Sequence, residues 1–346
     1  MKHLIFGMNA KDPAAGAREL REHGMDGVVC GSFTPECAAA LEAEGLEMYL
    51  SFGAYGVPKD GGRLAQDAFG QHRRWFNSGC PNDWENAQKH LDAVLEKAAA
   101  LPGLRGILVD GARFASFASV EGVDSFFTCF CPQCMQAMTD MGLDAEAIRK
   151  TVGRLMQTRK PASGDETALR QWLLFREKTV QRYMDQFAQR VHALRPDLLA
   201  GAFIFAPSLG AFVGQTAEAC RSLDVISHML YRDFHQQYGV ACLGHEWAAL
   251  IGGFGESIGA FISACSPDHA FSVDKTPAQL LESGFPPEWV RAEVAHARGI
   301  YPAGQQLWPI IQTDDDRVHE TDRLAVEAGA DTVAFFAYGN GQVPRF

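Results

Sequence analysis

The sequence predicts a (β/α)8 TIM barrel, and three observations support this fold class. Short apolar runs alternate with helical patterns eight times along the 346 residues of the chain. The runs are apolar on both faces, which is typical of parallel strands that are buried on both sides. The residues that follow the first run, Phe6 to Ala10, lack the GxGxxG pattern of a nucleotide-binding doubly wound sheet. We therefore expect one barrel domain over residues 1–346, a length that suits a barrel with insertions.

The eight predicted strands are short segments dominated by aliphatic and aromatic side chains. In chain order they cover residues 3–8, 27–31, 47–52, 106–110, 198–205, 224–230, 306–312 and 332–337. Because a helical pattern separates each strand from the next, the strands are expected to run parallel to one another.

Residues that favour helix ends stand between the predicted strands. Asp12 and Thr34, each followed by a proline, predict the starts of the first two helices. Gly24 and Gly45 predict the ends of the same helices.

Two further helices are indicated by other patterns. Asn82, with Glu85 three residues later, predicts a capping box at the start of the third helix. Apolar residues at helical spacing predict a long helix over residues 166–194, and Pro196 follows its end.

Three long insertions interrupt the alternation of strands and helices. They cover residues 53–81 after the third strand, 111–132 after the fourth and 232–286 after the sixth, and helices extend the second to about Lys160. All three follow the carboxyl ends of strands, which form the catalytic face of (β/α)8 barrels. The sequence thus predicts a site that these long loops frame.

Composition and charge argue against several classes of partner. The formal net charge is −11, so we expect no nucleic acid and no anionic membrane as a partner. No stretch approaches the ~18 uninterrupted apolar residues of a membrane span, and the apolar run at residues 4–8 is too short for a signal peptide. These features are typical of a cytoplasmic enzyme. The sequence leaves open whether the chain forms a homo-oligomer.

Four of the nine cysteines form a pattern that suggests a metal site. Cys129, Cys131 and Cys134 make a CxCxxC motif after the fourth strand, and Cys80 precedes Pro81 after the third. Loops after adjacent strands can meet, and four thiolates in a tetrahedron suit a structural Zn²⁺. The alternatives are three reduced cysteines with an unrelated fourth, or a redox pair formed by Cys131 and Cys134.

At these motifs the chain resembles the family 42 (β-galactosidase-type) glycoside hydrolases. The similar features are the Cys-Pro at Cys80, the strand that ends at Asp110, the CxCPxC motif from Cys129 and the strand-six sequence from Leu223 to Ser227. They lie within roughly residues 70–235. The resemblance implies a barrel, a glycosidase-like activity and a zinc ion on the four cysteines.

The chain departs from that family at both catalytic positions. The family has an Asn-Glu pair at the end of strand four and a Glu at the end of strand seven. Here strand four ends in Asp110-Gly111, and strand seven ends in Thr313-Asp314. The roles of the two glutamates therefore cannot be transferred to this chain.

Aspartates at strand ends are the candidate catalytic residues, because glycoside hydrolysis needs two carboxyl groups. Asp110 directly ends strand four, and Arg113 is expected to lower its pKa by pairing with it, which suits a nucleophile. The alternative is a structural ion pair of these two residues. Asp233 follows strand six, and Asp314 follows strand seven with Asp315 and Asp316; the alternative for one of these three is a cap of the next helix. Glu121 and Glu246 lie in the insertions as further candidates.

Polar and aromatic residues at strand ends are expected to bind a sugar, since aromatic rings present a flat apolar face. We select these as substrate-binding candidates together with Arg113: Asn9, Tyr55, His228, Tyr231, Gln312, Tyr338 and Asn340. His228 on an apolar strand is equally a core histidine. Phe205 and three tryptophans, Trp75, Trp84 and Trp247, are possible aromatic platforms or core residues.

Three functions remain open from the sequence. The first is a glycosidase that acts on a small-molecule carbohydrate by acid and base catalysis. The second is a metal-dependent lyase or isomerase, for which the candidate ligands are His228, Asp233, His245-Glu246 and His319-Glu320. The third is a non-catalytic sugar-binding barrel, which the missing glutamates favour.

Overall fold

Eight parallel strands close into a barrel in the computed structural model, which describes residues 1–58, 62–119, 121–232 and 242–346. The strands are β1 (Lys2–Phe6), β2 (Gly27–Cys30), β3 (Glu47–Gly53), β6 (Leu104–Asp110), β7 (Leu199–Phe205), β8 (Val225–Met229), β9 (Gln306–Leu307) with β10 (Ile310–Gln312), and β11 (Thr332–Phe336). A two-stranded hairpin, β4 (Ala65–Gln66) and β5 (His72–Arg73), lies in the connection after β3.

Parallel pairing continues around the whole ring. β1 pairs with both β2 and β11, and β8 pairs with β7, β9 and β10. The seventh barrel strand is divided into β9 and β10 at Trp308-Pro309. The predicted (β/α)8 barrel, with all eight strands in the predicted places, is confirmed.

Helices surround the barrel and cover its mouth. They are α1 (Pro13–Glu22), α2 (Pro35–Ala43), α3 (Trp84–Ala99), α4 (Pro132–Asp140), α5 (Ala145–Thr158), α6 (Glu166–Leu194), α7 (Pro207–Gly210), α8 (Leu243–Phe254), α9 (Ile258–Cys265), α10 (Pro277–Ser283), α11 (Pro287–Ile300) and α12 (Val318–Glu327).

Two predicted helix caps are present and one is wrong. The side chains of Asp12 and Thr34 accept hydrogen bonds from the third residue after them, at 3.0 and 3.2 Å. The predicted capping box of Asn82 and Glu85 is absent, because Asp83 occupies the cap position of α3 and makes no side-chain capping bond. The Asn82 amide instead lies 3.4 Å from the Cys134 sulfur. Tertiary contacts have displaced the local motif.

The alternation of side chains along the strands determines which residues face the barrel interior. The ring centroid of Phe6 lies 6.0 Å from that of Phe203 and 5.1 Å from that of Phe336. Leu108 pairs with Gly201, two residues before Phe203, so Leu108 and then Asp110 share the inward face. Gln312 pairs with Phe336 and faces inward as well.

One segment, Leu243–Cys265, is long and apolar enough to span a membrane by length and composition. It consists of α8 and α9, with a 3-10 turn between them at Gly255–Ser257. Its buried residues include Trp247 and Phe261, and the Phe261 ring packs on Phe117, Phe126 and Phe212 in the connections after β6 and β7. One third of its most apolar 18-residue window is buried.

Candidate active site and metal centre

Four cysteine side chains converge where the connections after β3 and β6 meet. The Cys80 sulfur lies 3.4 Å from the sulfurs of Cys131 and Cys134 and 3.7 Å from that of Cys129. All four sulfurs are buried and lie within 4.8 Å of one another. The four predicted ligands are therefore assembled, and their cluster can hold a metal ion.

The geometry of this cysteine cluster fits a tetrahedral ion. Metal–sulfur bonds of about 2.3 Å place tetrahedral sulfurs about 3.8 Å apart. Two N–H groups also point at the sulfurs: the Gln66 amide lies 3.3 Å from Cys129 Sγ, and the Asn82 side chain lies 3.4 Å from Cys134 Sγ. Such donors stabilise metal-bound thiolates. One closed group of four sulfurs favours a metal site over a redox pair with two unrelated thiols.

Arg176 of α6 holds the loop that carries the cysteines. Its guanidinium donates hydrogen bonds to the backbone carbonyls of Phe126, Thr128 and Phe212, and it lies 3.9 Å from the Trp172 ring centroid. Phe126 and Thr128 belong to the connection after β6, whereas Phe212 belongs to the connection after β7. The buried cation thus joins two loops that frame the barrel mouth.

Asp110 stands at the carboxyl end of the fourth barrel strand and faces the interior. Its carboxylate accepts a hydrogen bond from the Gly111 amide at 2.7 Å, the one hydrogen bond that it makes among the described residues. Burial raises its pKa above the ordinary value of 3.8, and this effect outweighs the opposing influence of Arg113 and the Gly111 amide. The predicted lowering of this pKa is wrong, because desolvation exceeds the attraction of the cation.

Arg113 lies buried between two aromatic rings and not in an ion pair with Asp110. Its guanidinium carbon is 4.6 Å from the Trp75 ring centroid and 4.3 Å from that of Phe205. No Arg113 nitrogen lies within 4.0 Å of a carboxylate oxygen in the described part of the chain, so the alternative of a structural ion pair is also not met. Burial lowers the pKa of Arg113 to about 10, although Glu246 and Asp110 act in the opposite direction. The arginine remains charged at neutral pH.

Glu246 of α8 is a second buried carboxylate whose charge acts on Arg113. It accepts hydrogen bonds from the Ser116 hydroxyl at 2.7 Å and from the Ala118 amide at 3.0 Å. These contacts attach α8 to the connection after β6. Arg113 therefore lies in the field of two carboxylates, of which Asp110 has the fewer hydrogen-bond donors.

The three consecutive aspartates after strand seven have different environments. Asp315 is fully buried and receives two hydrogen bonds from the Arg232 guanidinium and one from the Thr321 hydroxyl. Asp316 is exposed and contacts the same arginine at 3.0 Å. Asp314 is partly buried, and its carboxylate lies 3.4 Å from the side-chain amide of the inward-facing Gln312. Of the three, Asp314 is the one that lies beside the barrel interior.

Three of the predicted substrate-binding residues lie at the barrel mouth. Gln312 faces the interior, the Tyr231 ring lies 5.4 Å from that of Phe336, and Arg113 lies beside Phe205. Gln312, Tyr231 and Asp314 make further contacts besides these.

Three other predicted residues are directed elsewhere. His228 pairs with Ile204 on the outward face, where its ring lies 5.4 Å from that of Tyr301. Burial lowers the pKa of His228 to about 3, so the ring is neutral. Tyr55 is buried against Tyr183, with 5.2 Å between ring centroids. The Tyr338 hydroxyl donates to Glu19 of α1 at 2.8 Å.

The two asparagines predicted to bind substrate lie in turns, and one aspartate predicted to be catalytic lies outside the described residues. The Asn9 carbonyl oxygen accepts from the amides of Lys11 and Asp12 at 3.1 and 3.3 Å. Asn340 lies in the turn after β11, where its backbone amide donates to the Ala337 carbonyl. Asp233 lies outside the described residues.

The structure does not support the ligand set of a metal-dependent lyase. Within the described ranges, the four cysteines form the one group of histidine, cysteine or carboxylate side chains with metal-binding geometry. His319 is exposed on α12, and His228 is on the outer face of the barrel.

Sequence reasoning missed one buried carboxylate near the mouth. Glu293 of α11 accepts hydrogen bonds from the Ser208 amide at 3.0 Å, from the Ser208 hydroxyl and from the Trp289 indole at 2.9 Å. Burial raises its pKa to about 7. Its place in an amphipathic helix gives no signal of this role, since the partner Ser208 is distant in sequence. Glu293 fixes the short helix α7 that follows the fifth barrel strand.

Comparison with solved structures shows the same barrel in glycoside hydrolases. The β-galactosidase of the haloarchaeon Halorubrum lacusprofundi matches with a TM-score of 0.64 and 15% identity, over 98% of this chain and 53% of its own. A catalytic mutant of a GH42 β-galactosidase from G. stearothermophilus matches with a TM-score of 0.58 and 11% identity, over 97% of this chain and 51% of its own. The β-amylase catalytic domain of Paenibacillus polymyxa matches with a TM-score of 0.57 and 10% identity, over 100% of this chain and 95% of its own.

These similarities define what the chain shares with known proteins. It spans about half the length of the two β-galactosidases. No protein-family model and no curated protein sequence matches the chain. At identities of 10–15% the likeness establishes the common fold. The resemblance to family 42-type barrels is therefore confirmed as a distant structural relationship.

Proposed function

We propose that this chain is a glycoside hydrolase-like enzyme that acts on a small glycoside or oligosaccharide, with Asp110 as the proton donor. The observation that carries the proposal is an inward-facing carboxyl group at the end of the fourth barrel strand whose pKa is raised by burial. A general acid needs a raised pKa, and desolvation shifts the pKa of Asp110 in this direction. Asp110 would protonate the glycosidic oxygen as the bond to the leaving group breaks.

Asp314 is the proposed second carboxylate. It directly follows the seventh barrel strand, three strands away from Asp110 around the ring of eight, so the two groups approach the mouth from opposed sides. The amide of Gln312 lies 3.4 Å from its carboxylate and supports an orientation towards the interior. Asp314 would attack the anomeric carbon or deprotonate the attacking water, and a carboxyl separation of about 5–5.5 Å or about 6.5–9.5 Å distinguishes these two routes.

Arg113 is proposed to balance the charge of Asp110 after proton transfer. Its guanidinium acts to lower the pKa of Asp110, which means that it favours the ionised form. The Trp75 and Phe205 rings hold the cation in place and exclude water from it. A leaving group could therefore take the proton without leaving an isolated buried anion.

Zn²⁺ is the proposed ion on the cysteine cluster, in a structural role. The Cys80 sulfur lies 3.4–3.7 Å from the other three sulfurs, and such a group of four suits tetrahedral coordination and leaves no open position for chemistry. The ion would fasten the connection after β3 to the connection after β6. Reduced cysteines throughout the chain also suit the proposed cytoplasmic location.

The test is hydrolysis of a panel of aryl glycosides by the wild type and by Asp110→Asn, Asp314→Asn and Asp316→Asn. We expect losses of about 10³-fold for the first two variants and little change for the exposed Asp316. Asp110→Asn should lose less activity on dinitrophenyl glycosides than on methyl glycosides, since a good leaving group does not need protonation. It should also lose the fall in rate that the wild type shows as pH rises through the pKa of Asp110.

Two results would contradict the assignment. Unchanged activity in Asp110→Asn would keep the reaction class but move the acid to another residue. Absence of hydrolysis on the whole panel, with sugar binding retained, would favour the sugar-binding barrel.

A further inference from the structure

Phe76 combines two features that are costly when they occur together. It lies at the tip of a tight turn at residues 75–78 with a φ of 49°, in the left-handed region that bulky residues rarely adopt. Its side chain is 55% exposed. Glycine or asparagine would form the same turn with less strain, and a polar side chain would suit water better. Strained residues of this kind concentrate at functional sites.

The turn at residues 75–78 rests directly on the end of the fourth barrel strand. The Ser78 amide donates to the Trp75 carbonyl at 3.1 Å, and the Val57 amide donates to the Asn77 carbonyl at 2.9 Å. The Ser78 hydroxyl oxygen lies 3.7 Å from the position that a β-carbon on Gly111 would take. Gly111 follows Asp110, so the turn borders the site of the proposed acid.

Neighbouring residues anchor the turn and leave the Phe76 ring outside. Trp75 is buried, and its ring lies against the Arg113 guanidinium at the mouth. Ser78 is buried as well. No ring or cation lies against the Phe76 ring among the aromatic contacts of the described residues. An exposed aromatic ring thus stands on the same four-residue turn as Ser78, which borders Gly111.

We propose that Phe76 is the stacking platform for the sugar on the leaving-group side of the scissile bond. This inference rests on the proposed function. The proton donor faces the leaving-group oxygen, so a platform on the turn that borders Gly111 is on the side of the ring that departs. Sugar rings offer an apolar face of C–H groups to an aromatic ring. The natural substrates are accordingly disaccharides or longer chains with a pyranose leaving group.

The experiment compares substrates with the same glycosyl group and different leaving groups. The probes are β-galactosyl fluoride with lactose, β-glucosyl fluoride with cellobiose, and α-glucosyl fluoride with maltose. Fluoride occupies no leaving-group sugar site, whereas each disaccharide places a glucose there. For Phe76→Ala we expect kcat/KM on the accepted disaccharide to fall about three- to tenfold, with no change on its fluoride.

Phe69 offers a matched control in the same connection. It is 51% exposed, and its ring lies against α5, 3.4 Å from the position that a β-carbon on Gly153 would take. Phe69→Ala should leave both kcat/KM values unchanged. Equal losses on the disaccharide and the fluoride, or equal effects of the two variants, would overturn the proposal.

Phe76→Asn separates binding from folding, because asparagine tolerates the left-handed conformation. It should unfold at the same temperature as the wild type or higher, while it loses the preference for the disaccharide. A lower unfolding temperature would show that the ring stabilises the fold, which would overturn its role as a platform.

Failure of the proposed function is distinguishable from failure of this platform. If the wild type hydrolyses none of the probes, the proposed function fails, and binding of the three disaccharides is measured by calorimetry. Weaker binding to Phe76→Ala than to Phe69→Ala then supports the platform. Equal binding to both, or no binding to the wild type, overturns it.

Discussion

The cysteine cluster and the barrel mouth are neighbours in the fold, but they differ in how their reactive groups are satisfied. Each cluster sulfur lies near the others, and two N–H groups point at the cluster, so the group is closed. Asp110 at the mouth receives one hydrogen bond, from the residue next to it, and its burial disfavours ionisation. A closed set of donors holds an ion in place, whereas an acid with few partners keeps its capacity for a substrate.

The same difference separates the carboxylates around the mouth. Asp315 and Glu246 are buried and accept several hydrogen bonds from side chains and backbone. Asp110 and Asp314 lie at the strand ends that face the interior. By its single donor, Asp110 differs from these structural carboxylates, and the following substitutions test which group each aspartate belongs to.

The largest effect is expected from Cys80→Ser, which removes one of four sulfur ligands. We expect the metal content to fall from one ion per chain to none, and the free energy of unfolding to fall by about 5 kcal/mol or more. Metal analysis and thermal unfolding measure both. Cys30→Ser is the control, because burial raises the pKa of Cys30 to about 11 and it lies outside the cluster. Equal metal content in both variants would contradict the prediction that Cys80 is a metal ligand.

Substitutions in the aspartate run should separate stability from activity. Asp315→Asn leaves the Arg232 charge buried, so we expect a loss of about 3–5 kcal/mol in the free energy of unfolding. Asp316 is 86% exposed, and Asp316→Asn should cost less than about 1 kcal/mol. Asp314→Asn should change the rate of hydrolysis and not the stability. Urea unfolding of the three variants decides this, and a large stability loss in Asp314→Asn would place it with the structural group.

Glu293 extends the comparison to a carboxylate outside the barrel interior. Its pKa is about 7 in the folded chain against 4.5 ordinarily, so folding favours its protonated form. The resulting stability is fully present below pH 4.5 and is lost as pH rises through about 7, by up to about 3 kcal/mol. Glu293→Gln should lack this pH dependence in urea unfolding. A parallel pH profile for both proteins would show that Glu293 does not titrate in this range.

The smallest effect is expected on the stability of Asp110→Asn. Because burial raises the pKa of Asp110, its ionised form is unfavourable in the folded chain. The variant should therefore be more stable than the wild type at pH 7, and this gain should vanish below pH 3.8, where the wild-type carboxyl is protonated in both states. A variant that is less stable at pH 7 would indicate a structural role for the carboxylate.

The barrel and the cysteine cluster could be predicted because their signals are local. Two-sided apolar runs between helical patterns located all eight strands, and the CxCxxC motif with Cys80 named the four members of the cluster. Such patterns depend on residues close in sequence, or on loops that the order of strands brings together. The capping box at Asn82 failed, although it is also local, because a contact with Cys134 replaced it.

What the sequence by itself determined is the fold, the position of Asp110 at a strand end and the identity of the cluster. Only the tertiary structure decided which side chains face the interior. Successive residues of a strand point to opposite faces, and the strand register places His228 on the outer face and Asp110 on the inner face. It also decided the direction in which the pKa of Asp110 shifts, because burial outweighs a nearby arginine, and the pairing of Asp315 with Arg232 across 83 residues. These properties depend on desolvation and on distances between remote segments, which no local pattern encodes.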